Sequence, residues 1–148
     1  MDKLIEKIIK ILKKRKWCIG VMESCTGGAI VNSITNIPGV SDVFKEGKVT
    51  YSDESKIKAG VNKEIIKKYG VYSIEVAEEM LKKIDGEVGI GVTGNLPGMV
   101  YIAIKINSKI KSEKIELKSF KINKIMARKE MKRKILKEIF KKLEQELA

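Results

Sequence analysis

Short apolar, β-branched runs alternate along this chain with segments whose apolar residues recur at i, i+3 and i+4, and that alternation restricts the fold more than any other feature. Met1, Leu4, Ile5, Ile8, Ile9 and Leu12 fall on one face of a helix, with charged partners on the other. "WCIGVM", residues 17–22, reads as a buried strand; Gly27 and Gly28 then open a helix over "AIVNSIT", which Pro38 and Gly39 end. "GKVTYS", residues 47–52, has the content of a second strand, and the acids of "DESKIKAG" favour a helix N-terminus. Asn62 is placed to cap "KEIIKKY", and Ser73 to cap a helix carrying the stripe Val76, Ala77, Met80, Leu81 and Ile84. "EVGIGVTG", 87–94, and "MVYIAIKI", 99–106, are the most strand-like stretches, and the short "NLPG" between them predicts an antiparallel pair. "KIELKSF", 114–120, adds an edge strand, and residues 124–147 form a long amphipathic helix with Ile135, Leu136, Ile139, Phe140 and Leu143 inward. The pattern predicts an α/β fold over residues 1–148, a single layered domain with a mixed β-sheet flanked by helices.

A chain of 148 residues buries a core without disulfides or metal to support it. Cys18 and Cys25 are its only cysteines, too few for a thiolate metal cluster, and histidine is absent, which removes the usual imidazole base and the commonest metal ligand. Any catalysis must draw on lysine, carboxylate, hydroxyl or thiol. With no apolar run long enough for a bilayer and a charged, periodic start, the sequence predicts a cytoplasmic protein without a membrane partner. The net charge of +12 raises the question of nucleic acid. Yet seven Lys/Arg against two acids in residues 1–16, and ten against four in residues 121–148, carry nearly all of it. Those lysines alternate with Leu, Ile and Glu as on a solvated helix face, and three Phe with one Trp offer few stacking platforms, so nucleic acid is not the expected partner.

Functional groups in α/β sheets gather where strands end and helices begin. "MESCTGG", 22–28, is such a place: its glycines let a ligand approach the backbone and their amides can hold a phosphate or an oxyanion, or they simply make a tight turn. "TYSDESK" is a second, with Tyr51 and Ser52 ending a strand and Lys56 one turn into the next helix. Lys56 is either an ordinary surface lysine or, desolvated in a cleft, an amine of lowered pKa able to take a proton from serine, a role open in a chain without histidine. Thr93 ends the third strand and either meets a substrate or caps its own turn. Cys25 rivals Ser24 as nucleophile, but no adjacent cation in the sequence favours its thiolate.

"ESCTGG", "VTYSDESK" and "GVTG" followed by "VYIAI", in this order, resemble the C-terminal domain of the competence- and damage-inducible CinA family, which includes stand-alone nicotinamide-nucleotide amidases. The resemblance extends through "NIPGVSDVFKEGKVTYSDESKIKAGV", "YGVYSIEVAEEM" and "FKINKIMARKEMKRKIL". It implies hydrolysis of the carboxamide of nicotinamide mononucleotide, a small-molecule nucleotide substrate, without metal or cofactor, in a homodimer or larger homo-oligomer. By the same resemblance Ser24 is the nucleophile and Lys56 the base, with Tyr51 beside it and Thr93 completing the catalytic set. Glu23, Thr26, Gly27, Gly28, Asn95 and Arg128 form the implied substrate-binding set. Family members continue after this T-G with a Gly- and Pro-rich loop bearing a lysine, whereas only "NLPGMVY" stands here; Asp53 replaces a usual asparagine and Lys124 a common arginine. The shortened loop raises an alternative: a catalytically impaired nucleotide-binding or interaction domain of the same fold.

Overall fold

The computed structural model describes residues 1–148. Helix α1 spans Asp2–Arg15, strand β1 Ile19–Glu23, α2 Ala29–Thr35, a 3-10 turn Val40–Asp42, β2 Phe44–Val49, α3 Asp53–Lys58, α4 Lys63–Tyr69 and α5 Ile74–Leu81. Strands β3 Val88–Gly94, β4 Gly98–Ile106 and β5 Lys109–Leu117 follow, and α6 Lys124–Leu147 ends the chain. The strands make one mixed sheet in the order β2-β1-β3-β4-β5. β1 runs parallel to both β2 and β3, and β3, β4 and β5 alternate in direction. The expected α/β layering with a mixed sheet is the observed one.

Alternation along the strands sorts side chains between two helical layers. Ile19 and Val21 of β1 join Val88, Ile90 and Val92 of β3 in the larger core, packed with Ile5, Ile8, Ile9 and Leu12 of α1 and Ile135, Ile139 and Phe140 of α6. Met22 and Ala103 face the other way, toward Val76, Ala77, Met80 and Leu81 of α5. Glycine is required on that second face: a Cβ on Gly91 would stand 2.5 Å from the Ala77 carbonyl oxygen, so α5 lies against bare backbone.

The caps expected at Asn62 and Ser73 form, and Ser52, expected to end a strand, caps α3 instead. Asn62 accepts from the Glu64 amide, Ser73 from the Val76 amide, and Ser52 and Ser55 exchange side-chain and backbone hydrogen bonds at the start of α3. The first strand runs over Ile19–Glu23, not 17–22, and two others differ by more. The second runs over 44–49, not 47–52, because Ser52 is committed to capping α3 and Tyr51 bridges the gap. The fifth begins at Lys109, not at residue 114, and stops at Leu117: Ile106 pairs with Lys109 across the tight turn Asn107–Ser108, where Asn107 adopts the positive φ of 55° that such turns demand. Phe120 is therefore outside the sheet and 95% exposed.

β1 is the switch point of this topology. The chain leaves it for β2 on one side and returns to β3 on the other, so a crevice opens beyond the carboxyl ends of the parallel strands, at Glu23, Val49 and Gly94.

Candidate active site

The crevice holds a small pocket of about 90 Å³ lined by Ser24, Cys25, Tyr51, Asp53, Lys56 and Tyr72, with Gly94, Asn95, Leu96 and Arg128 on its far side. Each strand end contributes. Ser24 follows directly on β1; Thr50 and Tyr51 follow β2 and lead into the capped turn of α3; Gly94–Leu96 leave β3.

Ser52 fixes the start of α3, and Lys56 lies one turn later, so its side chain is carried back beneath the strand ends. Only 1% of Lys56 is exposed. Its Nζ donates to Thr50 O at 2.8 Å and to Ser24 Oγ at 2.9 Å, with Tyr51 O at a longer 3.5 Å. Ser24 Oγ lies 3.4 Å from the same Tyr51 carbonyl. No carboxylate forms an ion pair with this amine. Burial pushes the Lys56 ammonium below the ordinary lysine value of 10.5, against the opposing pull of Asp53. The amine thus has a neutral form accessible nearer to physiological pH, in contact with a hydroxyl whose proton it can accept.

Cys25, buried beside them, is held in the opposite sense. Burial raises its thiol from 9.0 to about 11, more than Lys56 and Lys132 can lower it, so the thiol stays protonated at neutral pH.

The glycine turn is built around Glu23. Its carboxyl accepts from Thr26 Oγ1 and from the Ile30 and Val31 amides at 3.1 and 2.9 Å, closing the N-terminus of α2. Glu23 and the Thr26 hydroxyl are therefore occupied in shaping the turn, and neither faces the pocket as the substrate-binding expectation had it. Gly27 and Gly28 take positive φ of 64° and 101°, which a side-chain-bearing residue enters only with strain. The amides of Thr26 and Gly28 have no backbone acceptor within the chain, and that of Cys25 turns toward its own sulfur.

Arg128 reaches across the mouth, donating to Leu96 O at 2.7 Å and to Tyr51 Oη at 3.2 Å. Asn95 is exposed at the rim. Thr93 is not brought to the pocket: its side chain points to the α5 face of β3 and donates to Val71 O at 3.0 Å, tying down the segment before Ser73. The structure thus joins Ser24, Lys56, Tyr51, Asn95 and Arg128 and leaves Thr93, Glu23, Thr26, Gly27 and Gly28 outside the pocket lining. It adds Asp53, Tyr72 and, just outside, Lys132, whose Nζ would stand 3.2 Å from a Cβ on Gly27. The i, i+4 spacing of Arg128 and Lys132 on α6 was the available signal for the last. No helix of the chain is long and apolar enough to cross a membrane.

Comparison with known proteins agrees with this architecture. The family model described as the CinA C-terminal domain matches residues 1–146. A competence-damage inducible protein of Alkaliphilus oremlandii is 45% identical over 119 residues, 70% of this chain and 29% of that protein. A CinA-like protein of Fusobacterium nucleatum is 41% identical over 128 residues, 79% of this chain and 32% of its own. The chain thus spans about a third of the length of these curated relatives. Among solved structures, a CinA superfamily protein of Klebsiella pneumoniae superposes with a TM-score of 0.82 over 97% of this chain and 98% of its own, a likeness of fold at 20% identity.

Proposed function

The chain belongs to the CinA C-terminal domain family, and on that premise we propose that it is an amidohydrolase that cleaves the carboxamide of nicotinamide mononucleotide to nicotinic acid mononucleotide and ammonia. The observation that carries this reading is the 2.9 Å contact between Lys56 Nζ and Ser24 Oγ, sealed from solvent at the foot of an open pocket.

Neutral Lys56 takes the Ser24 proton as Oγ attacks the carboxamide carbon, forming a C–O bond and placing charge on the former carbonyl oxygen. The amides of Cys25 and Thr26, which follow the attacking serine in the chain and have no backbone acceptor, are suited to that oxyanion. The intermediate collapses with cleavage of the C–N bond, Lys56 returning the proton so that nitrogen leaves as ammonia. Water then attacks the serine ester; Lys56 accepts its proton and passes it back to Ser24, releasing the carboxylate. Tyr51 and Arg128, hydrogen-bonded to each other, frame the entrance, with Asn95 at its edge.

The test is ammonia release from nicotinamide mononucleotide, present in the wild type and lost in Ser24→Ala and Lys56→Ala while circular dichroism shows the fold retained. A wild type that releases none from pH 6 to 10 refutes it. One observation favours a second reading, a nucleotide-binding domain without turnover: β3 and β4 are joined only by Asn95, Leu96 and Pro97, leaving the pocket without a long cover. Binding without ammonia release distinguishes it. The proposal places this single domain in the cytoplasm and in an assembly of two or more copies, for which the exposed Phe120 and Ile122 supply apolar surface.

A further inference from the structure

The pocket at Ser24 is small. Its volume of about 90 Å³ falls short of the roughly 300–1,000 Å³ that encloses a whole small-molecule ligand, so it receives the amide end and leaves the remainder outside. Its outer wall shows where that remainder can go. Tyr72, between α4 and α5, lines the pocket on one side and on the other lines a surface groove of about 320 Å³, which is large enough for a ligand group. Three of the chain's four tyrosines meet in that groove. Tyr69 ends α4, Tyr72 lies in the loop after it, and Tyr101 comes from β4, where it pairs with Lys114 of β5. Tyr101 packs against the α5 core and gives the groove a fixed wall, while Tyr69 and Tyr72 are 44% and 48% exposed. Of the four tyrosine hydroxyls only that of Tyr51 is bonded within the chain. Glu75 is the groove's one carboxylate; Lys114 is exposed on it, and the Lys68 ammonium lies 5.3 Å from the Tyr69 ring.

Aromatic faces grouped at the surface offer stacking to a planar ring system, whatever its substituents. Glu75 adds an acceptor for an exocyclic amine, and the two lysines add positive charge for a phosphate, so the groove combines the chemistries that a purine nucleotide presents. We propose that Tyr69, Tyr72 and Tyr101 form a stacking subsite for a nucleobase borne on the distal end of the ligand whose amide enters the Ser24 pocket. The proposal rests on the amidase reading for the position of the amide and goes beyond it in ligand class. It makes the protein a binder of dinucleotides, in which a second nucleotide follows the amide-bearing one.

Binding separates this from turnover. Ser24→Ala protein is titrated by calorimetry with nicotinamide mononucleotide and with nicotinamide adenine dinucleotide, which differ by one adenylate. The dinucleotide is expected to bind about tenfold more tightly, the scale of one stacked base. Adding Tyr69→Ala, a change at the exposed end of α4, removes that preference and leaves the affinity for the mononucleotide unchanged, whereas Tyr69→Phe keeps the ring and retains the preference. A dinucleotide bound no more tightly than the mononucleotide, or a Tyr69→Ala effect that is nil or equal for both ligands, overturns the proposal. Tyr69-dependent preference in a protein whose wild type releases no ammonia defeats the amidase reading only; ammonia release without that preference defeats the stacking subsite only.

Discussion

Lys56 Nζ stands 2.9 Å from Ser24 Oγ across 32 residues of sequence, joined through the ends of two parallel strands. The contact constrains both partners: the hydroxyl is presented to the pocket, and the amine is withdrawn from water except through it. Burial lowers the amine's pKa, so the folded chain gives up this proton at a lower pH than the unfolded chain, whose lysine titrates near 10.5. Below 10.5 and above the folded value, the unfolded state binds more protons, and Lys56 contributes increasing stability as pH rises through that window. Urea unfolding of the wild type compared with Lys56→Met from pH 7 to 10.5 checks this: the upward slope due to Lys56 is expected to vanish in the variant. Equal slopes in the two proteins would contradict the assignment. Ammonia release should rise over the same alkaline limb and fall by about 10²-fold or more in Lys56→Met, the scale of a lost general base.

Asp53 opposes the effect of burial, holding Lys56 higher than it would otherwise titrate. Asp53→Asn removes that charge with little change of shape. The limb of the pH–rate profile controlled by Lys56 is expected to move to lower pH, raising activity at neutrality. A limb that stays in place, or moves to higher pH, would show that another group controls it.

Cys25 supplies a control on the choice of nucleophile. With its thiol pushed up to about 11, it carries little thiolate at pH 8. Iodoacetamide is expected to modify the partly exposed Cys18 well before Cys25, as peptide mass spectrometry would report. Cys25→Ala should cost about 1 kcal/mol of packing and keep ammonia release. Loss of turnover in a folded Cys25→Ala protein would transfer the chemistry to sulfur.

Glu23 is expected to matter for stability through the turn it organises. Its carboxyl serves Thr26 and the first amides of α2, so Glu23→Ala strands three donors at a buried helix start. The expected loss is about 2–4 kcal/mol, with Glu23→Gln intermediate because one acceptor survives. Chemical denaturation measures it, and a change below about 0.5 kcal/mol, the range of ordinary surface substitutions, would mean that the turn holds itself.

The periodicity of α1, α5 and α6 and the caps at Asn62 and Ser73 were legible because they depend on neighbours three or four residues away. The bounds of β2 and β5 were less so. Val49 to Ser52 look equally strand-like in composition, and only the competing cap at Ser52 decides where the sheet stops. Ser24 and Lys56 were legible as a chemical pair, but their contact depends on β1 and β2 lying side by side, a relation no local pattern encodes. Lys132 was one lysine among the many on α6 until the approach of that helix to Gly27 singled it out.

Thr93 shows how a single-residue alternation decides between roles. As the penultimate residue of β3 it points to the α5 face with Gly91, while Val92 points to the α6 face and Gly94 reaches the pocket. Its hydroxyl is fully buried and bonded to Val71 O, which fixes the approach to the Ser73 cap. Thr93→Val preserves shape and removes the donor, leaving the Val71 carbonyl without it. The expected outcome is a loss of about 1–2 kcal/mol in denaturant unfolding, with ammonia release retained at temperatures where the variant is folded. If instead stability is unchanged and turnover collapses, the hydroxyl acts in the reaction, and β3 must then rotate or slip by one residue during the cycle to bring it there.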